Sequence, residues 1–191
     1  MSISIKIMVF LSLLVFTCSA PAAPSSSQAK IGGDFTLTKH DGSEFNLQDI
    51  RGKVGLIFFG FTHCPDVCPN TLMEIQRLLI SLGDEQEQLK VLFISVDPMR
   101  DTPAKLESYV NYFNKDMIGL TGDEETLRAV LAQYHAKVSY QGDLASNNYQ
   151  VEHNANLFLL NRSGQVASII LPRTPFAVLL QQVQKLIGAA D

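Results

Sequence analysis

The sequence predicts an α/β fold, with a central, mostly parallel β-sheet flanked by helices and an N-terminal β-hairpin. Three observations carry this. The runs 54–61 and 89–96 are apolar without polar alternation, which is how strands read when helices cover both faces of a parallel sheet. Each run is followed by a segment with proline near its start and apolar residues at helical spacing. The resulting order of hairpin, βαβαβ, helix, hairpin and helix stacks helices on a sheet.

The elements follow in chain order. Phe35, Leu37, Phe45 and Leu47 alternate with polar residues around Lys39-His40-Asp41-Gly42, a hairpin with glycine at its turn. His40 at the tip is read as a solvated turn residue. After the strand over 54–61 comes a helix over 69–82, with Leu72, Ile75, Leu78, Leu79 and Leu82 on one face and Gly83 at its end. The strand over 89–96 leads to a helix opened by Thr102-Pro103, with Leu106, Tyr109, Val110 and Phe113 as its stripe. A short strand over 118–120 precedes a third helix, for which Thr121 and Glu124 have capping-box spacing. His135 falls at that helix's end, where an imidazolium suits the dipole. Residues 136–150 are polar and aperiodic and read as a long loop of the kind that often carries function. The segments 157–160 and 165–171 flank Asn161-Arg162-Ser163-Gly164 as a second hairpin, and a final amphipathic helix covers 174–187.

Composition sets the outer bounds. With 191 residues, 15 Lys+Arg against 19 Asp+Glu and 46% hydrophobic residues, the chain has the proportions of a soluble globular protein. A net charge of −4 without a basic block argues against nucleic acid, because nothing would neutralise phosphates. Three cysteines are too few for a disulfide scaffold.

Residues 1–22 read as a signal peptide: Lys6, the apolar run 7–16, then small residues ending in Ala20-Pro21-Ala22, an A-x-A cleavage site. The uncharged stretch 7–20 is shorter than the roughly 20 residues a bilayer-spanning helix needs. An uncleaved anchor and a lipidated Cys18 are the alternatives, the second disfavoured by Phe16 and Thr17 where lipoprotein signals carry small residues. Membrane contact is therefore expected only through an uncleaved or lipidated leader. Residues 23–31 form a polar tether and 32–191 one domain, exported to an oxidising compartment.

The chemistry concentrates where the first parallel strand meets the first helix, in Phe61-Thr62-His63-Cys64-Pro65-Asp66-Val67-Cys68-Pro69. Open α/β sheets place their sites at the carboxyl ends of parallel strands. If this segment is helical, the two cysteines have Cα atoms about 6 Å apart, within reach of a disulfide and of one shared metal ion. Helix N-H groups and the dipole favour a thiolate, so one sulfur is expected to be reactive at neutral pH. The alternative is an inert structural disulfide, which would close almost no loop.

The segment Phe59 to Pro69 closely resembles the Cys-x-x-x-Cys segment of the Sco/SenC family. Two further stretches match in order. Val96-Asp97-Pro98-Met99-Arg100-Asp101-Thr102 resembles that family's Val-Asp-Pro-x-Arg-Asp-Thr, and Tyr149-Gln150-Val151-Glu152-His153-Asn154 its Tyr-x-Val-Asp-His-Ser, with Glu152 and Asn154 as departures. The resemblance implies a thioredoxin-like fold and a copper metallochaperone, not an enzyme, that delivers copper to the binuclear site of cytochrome c oxidase subunit II. It also implies Cys64, Cys68 and His153 as copper ligands, with Cys64 and Cys68 forming a redox-active disulfide when oxidised. A thioredoxin-like reductant or another copper donor would be a further partner. Two thiolates and an imidazole are a soft, low-coordinate set that suits Cu(I), and with a weak extra ligand Cu(II). Zinc is the rival metal if Asp66 or Glu152 supplies a fourth ligand. At the entrance to a strand after the long loop, His153 would swing toward or away from the thiolates.

Two other functions remain open: a periplasmic thiol-disulfide reductase, and a copper or redox sensor that delivers to nothing. A thioredoxin-type enzyme normally shows Cys-x-x-Cys, one residue shorter than the spacing here. Residues 149–160 also lack the proline that thioredoxin folds place opposite their cysteines, and the peroxiredoxin pattern is absent around Cys64. Asp97, Arg100 and Asp101 are read as an ion pair fixing a turn, His63 as a neighbour of the site or a solvated residue, and Met99 and Met117 as packing. With no eukaryotic targeting feature, the domain is placed in a bacterial periplasm, attached to the outer face of the inner membrane if the leader is retained.

Overall fold

The computed structural model describes residues 31–146 and 148–189. The leader with its cleavage site, Cys18 and most of the tether lie outside the described residues. Strands β3 (Val54–Gly60), β4 (Leu89–Ser95) and β5 (Ile118–Thr121) form the parallel centre. The hairpin β1 (Thr36–Lys39) and β2 (Glu44–Asn46) adds antiparallel to β5, and β8 (Leu157–Leu160) and β9 (Val166–Ile170) add antiparallel to β3. The seven-stranded order is β2-β1-β5-β4-β3-β8-β9. It is a mixed sheet with a parallel core, as the two apolar runs required.

Every residue of β3 is buried, and successive side chains face opposite sides of the sheet. Phe58 meets Phe93, while Phe59 meets Tyr134 and Phe158 on the other side. Helix α1 (Val67–Leu82) buries Cys68, Leu72, Ile75, Leu78, Leu79 and Leu82. It packs against α2 (Pro103–Phe113) and α4 (Phe176–Ile187), and Arg77 lies 4.0 Å over the Phe176 ring. Gly60 at the end of β3 allows this helix to approach: a Cβ there would stand 2.6 Å from Phe93 and 3.1 Å from Cys68 Sγ.

Four expectations are corrected. Helix α3 (Glu124–Gln133) is capped by Asp123, whose side chain accepts from Thr126 N, while Thr121 is the last residue of β5. Asp123 immediately precedes the first turn and its carboxylate reaches the free N-H groups there, whereas Thr121 lies two residues further back in β5. His40 is half-buried, and its Nδ1 accepts from Gly119 N at 3.0 Å, so it ties the hairpin tip to β5. His135 lies beyond α3 with φ 51°, turning the chain in the left-handed region. Finally, residues 136–150 are not a loop: β6 (Val138–Asp143) and β7 (Asn148–His153) pair antiparallel in a two-stranded ribbon outside the main sheet. Only Tyr149 is buried and Val138, Val151 and His153 half-buried, the rest of the ribbon being exposed, so its short alternation did not stand out from the polar residues around it. Among the described residues, no helix is long and apolar enough to cross a membrane.

Candidate metal centre

Three chain segments converge at the carboxyl ends of β3 and β4: the 61–68 turn into α1, the 95–101 turn into α2, and the end of β7. Helix α1 begins at Val67, two residues earlier than Pro69 suggested, so Cys68 sits in the first turn and Cys64 in the turn before it. The backbone N-H groups of a first turn have no partner within the helix. The one on Cys68 points at Cys64 Sγ, 3.4 Å away. Cys64 is half-buried and Cys68 fully buried, and both are free thiols.

His153 is the last residue of β7, not the first residue of a strand after a loop. Its ring is bounded by Phe58 and Phe61, with centroids at 6.2 and 5.8 Å, so it is seated rather than swinging. His153 Nδ1 lies 3.2 Å from the Asn154 carbonyl oxygen. A carbonyl only accepts, which puts the proton on Nδ1 and leaves the Nε2 lone pair free. That Nε2 is 3.5 Å from Cys68 Sγ.

Neither rival ligand joins them. Asp66 accepts from Asn70 Nδ2 at 2.6 Å, and Glu152, adjacent to His153 on a strand, faces the opposite side. Met99 is exposed and Met117 packs in the core. Among the described residues, the His, Asp, Glu and Cys groups whose ligand atoms all lie within 4.8 Å of one another are His63, Asp97 and Asp101. Their carboxylates are already occupied. Arg100 Nε donates to Asp97 Oδ2 at 2.5 Å, the ion pair anticipated from the sequence, and the Tyr149 hydroxyl donates to Asp97 Oδ1. Asp101 accepts from Thr62 N, Thr62 Oγ1 and Ser95 Oγ at 3.0, 2.5 and 2.7 Å. His63 Nδ1 stands 3.8 Å from Asp101 and remains half-exposed. Sequence reasoning missed Thr62, Ser95 and Tyr149. Tyr149 lay inside the third quoted motif, but Ser95 looked like one more residue of an apolar run.

Burial decides the protonation states. It pushes the Cys68 thiol well up, reversing for this sulfur the reactive thiolate expected at the helix start. Burial pushes His153 down, with the Asn154 contact opposing, so the imidazole is neutral near pH 7. These shifts bound the stability of the metal-free protein on two sides. Below the ordinary histidine value of 6.5 the unfolded chain binds a proton that folded His153 refuses, so stability falls with falling pH. Above the ordinary cysteine value of 9.0 the unfolded thiol ionises while buried Cys68 resists, so stability falls with rising pH. Urea midpoints across pH 5–10 should show both slopes, the acid one flattening in His153→Gln and the alkaline one shrinking in Cys68→Ala, with Tyr109, Tyr134, Tyr140 and Tyr149, whose hydroxyls burial also pushes up, carrying what remains near pH 10.

His153 borders a cleft whose lining also includes Asp66, Val67, Leu171, Arg173 and Leu179. Leu171 and Val67 on its rim are 62% and 46% exposed.

The family model described as SCO1/SenC matches residues 23–188. A SCO2-like protein of Rickettsia felis is 34% identical over 179 residues, covering 84% of this chain and 86% of that protein. The structure of Bradyrhizobium japonicum ScoI with copper bound superposes with a TM-score of 0.75 at 34% identity, covering 82% of this chain and 99% of that one. Yeast Sco1 with copper bound gives 0.77 at 28% identity, over 85% and 91%. The α/β architecture is thus the thioredoxin-like one of these Sco structures, and with its model matched over nearly the whole described length, this chain belongs to the SCO1/SenC family.

Proposed function

We propose that this protein is a copper metallochaperone that delivers copper to the binuclear site of cytochrome c oxidase subunit II during oxidase assembly. The cargo ion would be held by the sulfurs of Cys64 and Cys68 and by Nε2 of His153. The single observation that carries this reading is the approach of His153 Nε2 to within 3.5 Å of Cys68 Sγ, across 85 residues of sequence. The copper-bound structures of similar proteins support it, as does a relative from Stutzerimonas stutzeri described as a putative copper-binding protein, 37% identical over 135 residues.

The donor set is soft and lacks a fourth protein ligand, which favours Cu(I) over a closed zinc site. Cu(II) is accommodated when a weak extra ligand is added. Release follows from the unequal burial of the two sulfurs. Cys64 at the mouth is the ligand a client's thiolate or imidazole displaces first, while Cys68 and His153 keep hold until the client has closed around the ion. Exchange with a disulfide-bearing oxidant would convert the two thiols to a Cys64–Cys68 disulfide, the oxidant taking the two electrons and two protons to become a dithiol. A thioredoxin-like dithiol partner returns both, becoming a disulfide itself, and another copper donor then reloads the site. The signal-peptide reading of residues 1–22 supports a periplasmic setting for this exchange, at the outer face of the inner membrane if the leader is retained.

The test is anaerobic transfer from the Cu(I)-loaded, Cys-reduced protein to the metal-free soluble domain of subunit II. Copper should move stoichiometrically, and loading should be lost in Cys64→Ala. Failure to load copper overturns the proposal. So does reduction of a client disulfide, without metal transfer, at a rate unchanged by His153→Ala, a result that would make the protein a thiol-disulfide reductase. Loading without transfer would make it a sensor.

A further inference from the structure

The ribbon β6–β7 carries His153 yet is hydrogen-bonded to no strand of the main sheet. An isolated two-stranded hairpin is marginally stable in water, so something else must fix where its last residue points. The candidate is Tyr149, which at 6% exposed is the one buried residue of a ribbon in which Val138, Val151 and His153 are half-buried and the others exposed. It lies four residues before His153 and on the same face of β7. Tyr149 is gripped at three places: its hydroxyl donates to Asp97 Oδ1, its carbonyl accepts from Arg100 Nη1 at 3.1 Å, and its ring lies 3.8 Å under the Arg100 guanidinium. Arg100 in turn is locked to Asp97 Oδ2 at 2.5 Å. On the facing strand, Tyr140 donates to the Val96 carbonyl and packs its ring against Tyr149 at 6.1 Å.

The same turn grips the other half of the site. Asp101 takes both the N-H and the hydroxyl of Thr62, two residues before Cys64. Ser95 Oγ joins the two carboxylate systems, donating to Asp101 Oδ2 and accepting from Asp97 N at 3.0 Å.

We propose that Asp97, Arg100 and Tyr149 are positioning residues that set His153 against Cys68. The 95–101 turn is then a bracket that registers the histidine strand and the cysteine turn to one frame. This rests on the copper-binding reading for its affinity readout. Outer partners that orient ligands change metal affinity by about 10–100-fold when removed.

Tyr149→Phe deletes only the hydroxyl and keeps the ring on Arg100. Cu(I) affinity, measured by competition with a chromophoric chelator, should fall by about tenfold in this variant. In a His153→Ala background the same substitution should change nothing, because its effect runs through the imidazole. An equal loss in both backgrounds overturns the proposal, as does no loss in either. A metal-free readout stands beside it: nuclear Overhauser contacts from the His153 ring to Phe58 and Phe61 should weaken in Tyr149→Phe and in Arg100→Lys at temperatures where both remain folded. Unchanged contacts overturn positioning even if the wild type binds no copper. Wild-type failure to bind Cu(I) strikes the copper reading alone.

Discussion

His153→Ala is expected to weaken Cu(I) binding by more than about a hundredfold, since losing an orienting partner alone costs up to that much. The imidazole of His153 already has a free ring nitrogen near pH 7, so it binds without releasing a proton. Cys68 by contrast must lose the proton that burial makes it hold. Two sulfurs alone leave Cu(I) open to capture by small thiols, and the variant should surrender its copper to millimolar glutathione where the wild type retains it. Chelator competition at fixed pH measures the change, and an affinity within threefold of wild type would remove His153 from the ligand set. The fold should survive, because the ring is half-buried at the edge of the Phe58–Phe61 contact rather than in the central core.

The largest effect on stability is expected from Asp101→Ala, a loss of about 3 kcal/mol or more in urea unfolding of the metal-free protein. Asp101 is 1% exposed and accepts three hydrogen bonds from Thr62 and Ser95. Truncation leaves Ser95 Oγ, which is fully buried, and the Thr62 N-H without an acceptor, and each stranded buried donor costs about 1–3 kcal/mol. Asp101→Asn should lose less, as it keeps the shape and one acceptor oxygen. The Thr62 amide should exchange with solvent faster, and Cys64 should alkylate faster as its turn loosens. A loss within about 0.5 kcal/mol, the range of an ordinary surface change, would show that the carboxylate does not hold this turn.

The two results probe different halves of one arrangement. His153→Ala removes a group that touches the ion. Asp101→Ala removes a group that touches no ligand atom and acts through Thr62 on the turn that carries Cys64. Beside that turn runs the cleft lined by Asp66, Val67 and His153, whose rim exposes Leu171 and Val67.

Reading order along the chain explains which features were legible. The strands of the parallel centre were plain because both of their faces are buried, and apolar runs bounded by Pro and Gly say so directly. Helix starts were good to two residues: Pro69 marked the first turn of α1, but the turn begins at Val67. The ribbon over 138–153 stayed hidden because burial writes the periodicity that sequence reading detects, and only Tyr149 in it is buried.

By itself the sequence determined the α/β class, the local pairing of Cys64 with Cys68 at a helix start, and the resemblance that singled out His153. The first two are short-range features, set by the helical rise, by side-chain spacing and by the preferences of Pro and Gly, whereas His153 came from the family resemblance alone. Tertiary structure alone decided that His153 Nε2 meets the buried Cys68, since that approach needs the chain to return antiparallel beside β3. It also decided that Cys68 holds its proton where a helix N-terminus would release it, because desolvation depends on everything packed around the sulfur and outweighs a few backbone dipoles. Finally, it turned Asp97, Arg100 and Asp101 from an ion pair into a bracket reaching Thr62 on one side and Tyr149 on the other.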